Sequence, residues 1–280
     1  MTSDPNEWVY GDYTPNPRSQ DLIGLKANWI LSRLPAVQNP IVLDFGSGEG
    51  KHLHLVRSVR PRAKLVGIDI RAPRTPVDFE FHLVTGGSDL PFSEDVFDIV
   101  VSCDVLEHVA DVGKSLDEIH RVMRPGGFFI GFVPLEGGFG PHGFFRLFDP
   151  DIYHDTKDHR HAYARDEMVN LMTTKFSAAT FSYSYHFLGG LFDAVFFASF
   201  KFPGIGERME CFWRGQENSF YRGDSKSEKP SLVGMMTRFA NRIAYWESSL
   251  LRRVPFGASG LHFCLEKKRT SPIFGDLGSA

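Results

Sequence analysis

The stretch Ile41-Val42-Leu43-Asp44-Phe45-Gly46-Ser47-Gly48-Glu49-Gly50 constrains the fold more than any other. An apolar run that ends in an acid reads as a strand of a buried parallel sheet. Three glycines straight after it let the backbone turn tightly and approach a ligand closely. Residues 51–60 then read as a helix whose free N–H groups face that ligand. Strand, glycine loop and helix in this order open a nucleotide-binding α/β fold.

Three ligand classes compete for such a loop. A phosphate-binding P-loop needs Gly, four residues, then Gly-Lys-Ser/Thr. Here Gly46 to Gly50-Lys51 is one residue short, and His52 stands in place of the hydroxyl. The dinucleotide fingerprint Gly-x-Gly-x-x-Gly is also missed, because the third glycine comes one residue early and Lys51 holds its place. What remains is Asp-x-Gly-x-Gly-x-Gly, in which Asp44 ends the strand. This resembles the first motif of class I S-adenosylmethionine (SAM)-dependent methyltransferases, whose ligand carries an ammonium group that a terminal acid suits.

Later segments point the same way. Leu65-Val66-Gly67-Ile68-Asp69-Ile70 reads as a second strand ending in an acid, placed to accept hydrogen bonds from ribose hydroxyls. Dinucleotide enzymes and methyltransferases share that feature. Residues 80–84 read as a third strand. Asp89-Leu90-Pro91-Phe92 before Phe97-Asp98-Ile99-Val100 resembles the adenine-binding segment of the type-11 (ubiquinone/menaquinone-methyltransferase-like) family. Leu106-Glu107-His108 before a helix, and Arg124-Pro125-Gly126-Gly127 before a fifth strand at 128–133, resemble further motifs of that family. The resemblance covers residues 41–133 and implies SAM as cofactor. Carried over residue by residue, it places Asp44 at the methionine ammonium and Gly46 and Gly48 around the methionine portion. It places Asp69, with Ile70 next to it, at the ribose, and Asp89 and the Leu90 N–H at the adenine. Cys103, ending the fourth strand, falls beside the methionine portion, although a small buried apolar role suits it equally.

The remaining chain is read more coarsely. Residues 1–20 suggest an extended arm with Trp8, Tyr10 and Tyr13, and 21–34 an amphipathic helix. Residues 137–145 read as an aromatic loop, 165–174 as a helix, 178–187 as a sixth strand and 260–267 as a seventh. The expected architecture is therefore a seven-stranded, mostly parallel, doubly wound (Rossmann-like) α/β sheet. It divides into a core over 1–187, a mainly helical cap over 188–259 between the last two strands, and a last strand with a disordered tail over 260–280. In the cap, Leu232, Met236, Phe239, Ile243, Trp246 and Leu250 make an apolar helical stripe flanked by Arg238, Arg242, Arg252 and Arg253. Packing on its own domain is the expected role of that stripe. A homodimer through residues 232–250 and peripheral docking on anionic lipid are the alternatives.

Composition narrows the function classes. The net charge of −3 argues against a general nucleic-acid binder. Three widely spaced cysteines offer no disulfide framework or zinc pattern, which with a polar start and no apolar run of about 18 residues suggests a cytoplasmic protein without a transmembrane segment. The 26 phenylalanines, crowded between 128 and 220, suggest an apolar acceptor chamber or an interface. The expected reaction is methyl transfer to a small or lipid-linked apolar acceptor, with O-methylation first. N- or C-methylation and a non-catalytic SAM-binding subunit remain open beside it. A hydroxyl acceptor must shed a proton, and His108, His159 and His161 are the candidate bases. Capping, packing or solvated-loop roles compete for the same histidines. Two sets of hard or borderline ligand types offer metal sites: Asp104, Glu107 and His108, and His154, Asp155, Asp158, His159 and His161. The family resemblance implies no metal, and none is assigned.

Overall fold

The computed structural model describes residues 18, 20–157, 159–199, 201–202, 204 and 232–268. The expected N-terminal arm with its three aromatics, Cys211, and the tail beyond Lys268 lie outside the described residues, as do the side chains of Asp155, Asp158, Leu232, Met236 and Arg238.

The elements run α1 (Leu22–Arg33), β1 (Ile41–Phe45), α2 (Lys51–Val59), β2 (Lys64–Asp69), β3 (Glu80–Leu83), β4 (Phe97–Cys103), α3 (Val112–Val122), β5 (Met123–Pro134), α4 (Pro141–Phe148), α5 (Ile152–Lys157), α6 (Arg165–Thr173), β6 (Ala178–Ser184), α7 (Phe187–Ser199), α8 (Leu232–Leu251) and β7 (Gly260–Glu266). They form one seven-stranded sheet in the order β3-β2-β1-β4-β5-β7-β6. β1 lies parallel to both β2 and β4, while β7 is antiparallel to β5 and β6. The strand order reverses at the β1/β4 boundary, so a crevice opens there at the carboxyl ends of the strands.

Continuous burial explains the central strands. Val42, Leu43, Ile99, Val100 and Val101 are fully buried, as the unbroken apolar runs require when helices cover both faces. Helix α1 begins where the Asp21 carboxylate accepts from the Gly24 N–H at 2.6 Å, the side-chain cap an N-terminus needs. It is anchored to the sheet by Ala27 and Ile30 in the core and by the Trp29 indole N–H, which donates to the Phe263 carbonyl at 2.9 Å.

Three expectations are corrected. The fifth strand, expected over 128–133, begins at Met123, and Arg124-Pro125-Gly126-Gly127 is an irregular entry into it, where the register with β4 shifts between Phe97 and Ile99. It is held because the Gly126 N–H donates to the Lys267 carbonyl and Arg124 grips Asp98. The aromatic segment 137–145 is half helical, since Pro141 sits in the first turn of α4, where its missing N–H costs nothing. The third concerns the stripe on α8. Ala244 and Ser248 form the buried side of that helix, and Phe239, Ile243, Trp246 and Leu250 face outward, with Trp246 58% and Leu250 83% exposed. Polar contacts decide the rotation. The Glu247 carboxylate accepts from the Leu188 N–H at 3.0 Å and the Gly189 N–H at 3.1 Å, capping the start of α7. The Ser248 hydroxyl accepts from the Tyr185 N–H at 3.1 Å. A Cβ at Gly189 would stand 3.3 Å from that of Ala244, so α7 and α8 cross closely where both residues are small.

Candidate active site

Sequence dictates the crevice at the end of β1. Gly46, Gly48 and Gly50 all have left-handed φ values, +80°, +50° and +81°, a region costly for residues with a Cβ. A Cβ on Gly46 would lie 2.4 Å from a Val105 methyl, and on Gly50 2.2 Å from the Phe79 ring, whereas on Gly48 it would meet open space. The loop is therefore packed tightly from behind and open at Gly48. The Gly46 and Ser47 N–H groups both donate to the Ile68 carbonyl at 2.9 Å, tying the loop to β2.

Asp44 is wholly buried, and neither of its carboxylate oxygens has a hydrogen-bond partner among the described residues. His52, in the first turn of α2, brings its Nδ1 to 3.7 Å. Burial works against a charge on that imidazole, but Cys103 and Asp44 outweigh it and raise its pKa to about 10. Cys103 is thus buried beside Asp44 and His52 at the end of β4, as its position in the sequence suggests. An unsatisfied buried carboxylate is costly, and a ligand ammonium would satisfy it.

Asp69 ends β2, and its carboxylate accepts from the Gly48 N–H at 2.9 Å through Oδ2 and from the Arg71 N–H at 3.0 Å through Oδ1. Burial raises its pKa against the pull of those bonds. It therefore braces the glycine loop, with lone pairs left for ribose hydroxyls. Ile70 is exposed next to it. Asp89 is exposed too. Leu90 is a correction: its N–H donates to Glu118 at 2.8 Å, and its carbonyl accepts from Arg121 at 3.2 Å. The pair Glu118–Arg121 on α3 grips this segment from inside, so the Leu90 N–H is not offered to a ligand.

The three candidate bases do not share one environment. His108 and His159 meet edge to face with ring centroids 4.8 Å apart. His159 is buried, its Nδ1 2.9 Å from Glu136 and its Nε2 3.8 Å from Glu107. His108 Nε2 lies 4.0 Å from the same Glu107 oxygen. His161 instead stacks on Tyr163 at 5.4 Å. The N–H groups of Arg160 and His161 donate to the Glu107 carbonyl at 2.9 and 3.2 Å, which docks this loop beside β4. Glu107 is 1% exposed. Burial, with Asp104 and Glu136 nearby, pushes its carboxyl well above the usual carboxylate range.

Three contributors were not singled out from the sequence. Lys26 on α1 binds Asp104 at 2.6 and 2.8 Å, with its ammonium 3.9 Å from the centre of the Phe132 ring. That pairing holds Asp104 in a left-handed conformation at φ +54°, unusual for a residue with a side chain. His52 and Glu136 are the others. Lys26 and Glu136 lie far in sequence from Asp104 and His159, whereas His52 follows the glycine loop and meets Asp44 close by in the chain.

A doubly wound sheet, a glycine loop open at one position and a buried acid without a hydrogen-bond partner among the described residues suit a SAM-binding domain. A family model described as a methyltransferase domain, of type 11, matches residues 43–131. The mitochondrial protein of Rattus norvegicus named arginine-hydroxylase NDUFAF5 is 30% identical over 125 residues, covering 37% of this chain and 36% of that protein. Demethylmenaquinone methyltransferase of Symbiobacterium thermophilum is 34% identical over 101 residues, covering 32% of this chain and 40% of that protein. Phosphoethanolamine N-methyltransferase 2 of Haemonchus contortus, solved with SAM, is similar in fold, with a TM-score of 0.54 at 16% identity over 95% of this chain and 56% of that one. The matched stretches span well under half the length of both curated relatives. Residues 43–131 are thus similar to a type-11 methyltransferase domain, and the cofactor of such a domain is S-adenosylmethionine.

Proposed function

We propose that this chain is a SAM-dependent methyltransferase acting on the hydroxyl of a small or lipid-linked apolar acceptor. The observation that carries the cofactor half is the buried, unsatisfied Asp44 carboxylate beside the opening at Gly48. When bound, SAM supplies an electrophilic methyl group, so the protein's part is to bind, orient and exclude water. Asp44 receives the ammonium, Asp69 holds the loop and the ribose, and the tightly packed backs of Gly46 and Gly50 keep the cradle rigid.

The acceptor half rests on Glu107, His108, His159 and Glu136. Glu107 and His108 follow β4, Glu136 follows β5 and His159 follows α5, and brought together they can take up a hydroxyl proton. An amine acceptor would need no strong base. Exposed Phe139, Phe144, Leu147 and Phe148, with the outward stripe of α8, support an apolar acceptor. The helices between β6 and β7 then act as a cap, and the same stripe is available to a second copy or to a lipid surface. Free Cys103 and Cys264 favour a reducing, cytoplasmic setting. Among the described residues, no helix is long and apolar enough to cross a membrane.

Calorimetry with SAM and S-adenosylhomocysteine beside NAD tests the cofactor. Micromolar binding of the first two and none of NAD is expected. Transfer of labelled methyl from SAM to a panel of hydroxylated and amino apolar acceptors tests the reaction. His159→Ala should lower kcat on hydroxyl acceptors by about 10²–10⁴, the usual contribution of a general base. Equal turnover of the variant would remove the O-methylation reading.

A further inference from the structure

We propose that Glu107, His108 and His159 form a binding site for one divalent first-row transition-metal cation, with Glu136 orienting His159 from behind. One donor atom from each of the three ligands lies within 4.8 Å of the other two. The Glu107 oxygen stands 3.8 Å from His159 Nε2 and 4.0 Å from His108 Nε2. Tetrahedral ligands at about 2.0–2.2 Å from one ion are about 3.3–3.6 Å apart, so side-chain shifts of up to about 1 Å would close the set.

The second observation is Glu107 itself. Both of its oxygens lack a hydrogen-bond partner among the described residues, and the side chain is 1% exposed and aimed between the two imidazoles. A buried, unsatisfied carboxylate needs a counter-charge. The third is the arrangement behind His159. The Glu136 carboxylate, 2.9 Å from His159 Nδ1, sets the ring so that its Nε2 faces Glu107 at 3.8 Å. Carboxylates behind ligating histidines fix the tautomer and ring direction in this way. The spacing within 104–108 would suggest a different set, but Asp104 is engaged by Lys26 at 2.6 and 2.8 Å. The third donor comes instead from the loop after α5. His108, with its side chain 32% exposed, leaves the site reachable from solvent.

Two imidazoles and one carboxylate favour a borderline cation over Mg²⁺ or Ca²⁺, and three protein ligands leave a position open. Under the methyltransferase reading above, that position would take the acceptor's hydroxyl and ease loss of its proton, with the histidines as ligands rather than bases. Binding of the ion does not depend on that reading.

The test uses the full chain, stripped of metal by chelation. Zn²⁺ is titrated by calorimetry, Co²⁺ by its visible absorption, and Mg²⁺ serves as the hard-cation control. The expected result is one equivalent of Zn²⁺ or Co²⁺ with micromolar or tighter affinity, and much weaker Mg²⁺. Glu107→Gln and His159→Gln should each weaken Zn²⁺ at least tenfold while still binding S-adenosylhomocysteine, which shows that they fold. No saturable Zn²⁺ or Co²⁺ binding overturns the proposal, and so does equal binding by the variants. His159 would then be an imidazolium shared between the two carboxylates. Failure of the cofactor reading would show separately, as absent S-adenosylhomocysteine binding.

Discussion

Asp44→Asn separates binding from stability at one position. The carboxylate is wholly buried, has no hydrogen-bond partner among the described residues, and has His52 Nδ1 at 3.7 Å, too far for a hydrogen bond. An amide of the same shape removes the buried charge and little packing. If that charge is reserved for a ligand ammonium, the variant loses one charge-assisted contact, about 1.5–3 kcal/mol. At 1.4 kcal/mol per tenfold, the dissociation constant for S-adenosylhomocysteine should rise roughly 10–150-fold. The unliganded variant should melt at or above the wild-type temperature, because a desolvated charge is gone. The assay is calorimetry for affinity and a thermal melt for stability, both at pH 7.5. The opposite pattern refutes the reasoning. Unchanged affinity with about 3–5 kcal/mol of stability lost, the usual result of breaking a buried ion pair, would mean that Asp44 exists to hold His52.

Gly46→Ala should cost about 2–4 kcal/mol, summing a left-handed residue with a Cβ and a contact 2.4 Å from Val105; adding Val105→Ala should restore only the second part, by chemical denaturation. His262, which shares a 2.9 Å hydrogen bond with Ser184, is held near pKa 3 by burial, with the Lys26 charge adding to it. The unfolded chain therefore binds this proton below pH about 6.5 and the folded chain does not, so stability falls by about 1.4 kcal/mol per pH unit from 6.5 down toward 3. His262→Gln should flatten that acid limb in denaturant melts against pH, and an identical limb would exclude His262 as its source. On α8, Phe239→Glu with Trp246→Glu should leave the melting temperature nearly unchanged, as surface changes do, whereas Ala244→Leu should cost about 1–3 kcal/mol by overfilling the contact with α7. Reversed effects would mean that the apolar stripe is the buried face.

Local chemistry made part of this legible from the sequence. Residues 41–50 determine a buried strand and a left-handed glycine loop, because only glycines tolerate three such φ values in five residues. The apolar runs at 65–70, 97–103 and 128–133 determine strands covered on both faces, and together these determine a nucleotide-binding α/β sheet, while SAM itself is what the motif resemblance implies. Tertiary structure decided whatever depends on partners distant in the chain. The Leu90 N–H reads as available until Glu118 on α3 is seen to take it. The α8 stripe reads as buried until Glu247 and Ser248 turn the opposite face inward, because capping α7 and satisfying the Tyr185 N–H are contacts that hydrophobic periodicity does not register. His108, His159 and His161 all read as candidate bases, yet the fold sets two of them around Glu107 and stacks the third on Tyr163. Periodicity and motifs report each residue's own backbone and neighbours. Where a charge is paired, which face is covered and which donors converge depend on elements brought together only by the folded sheet.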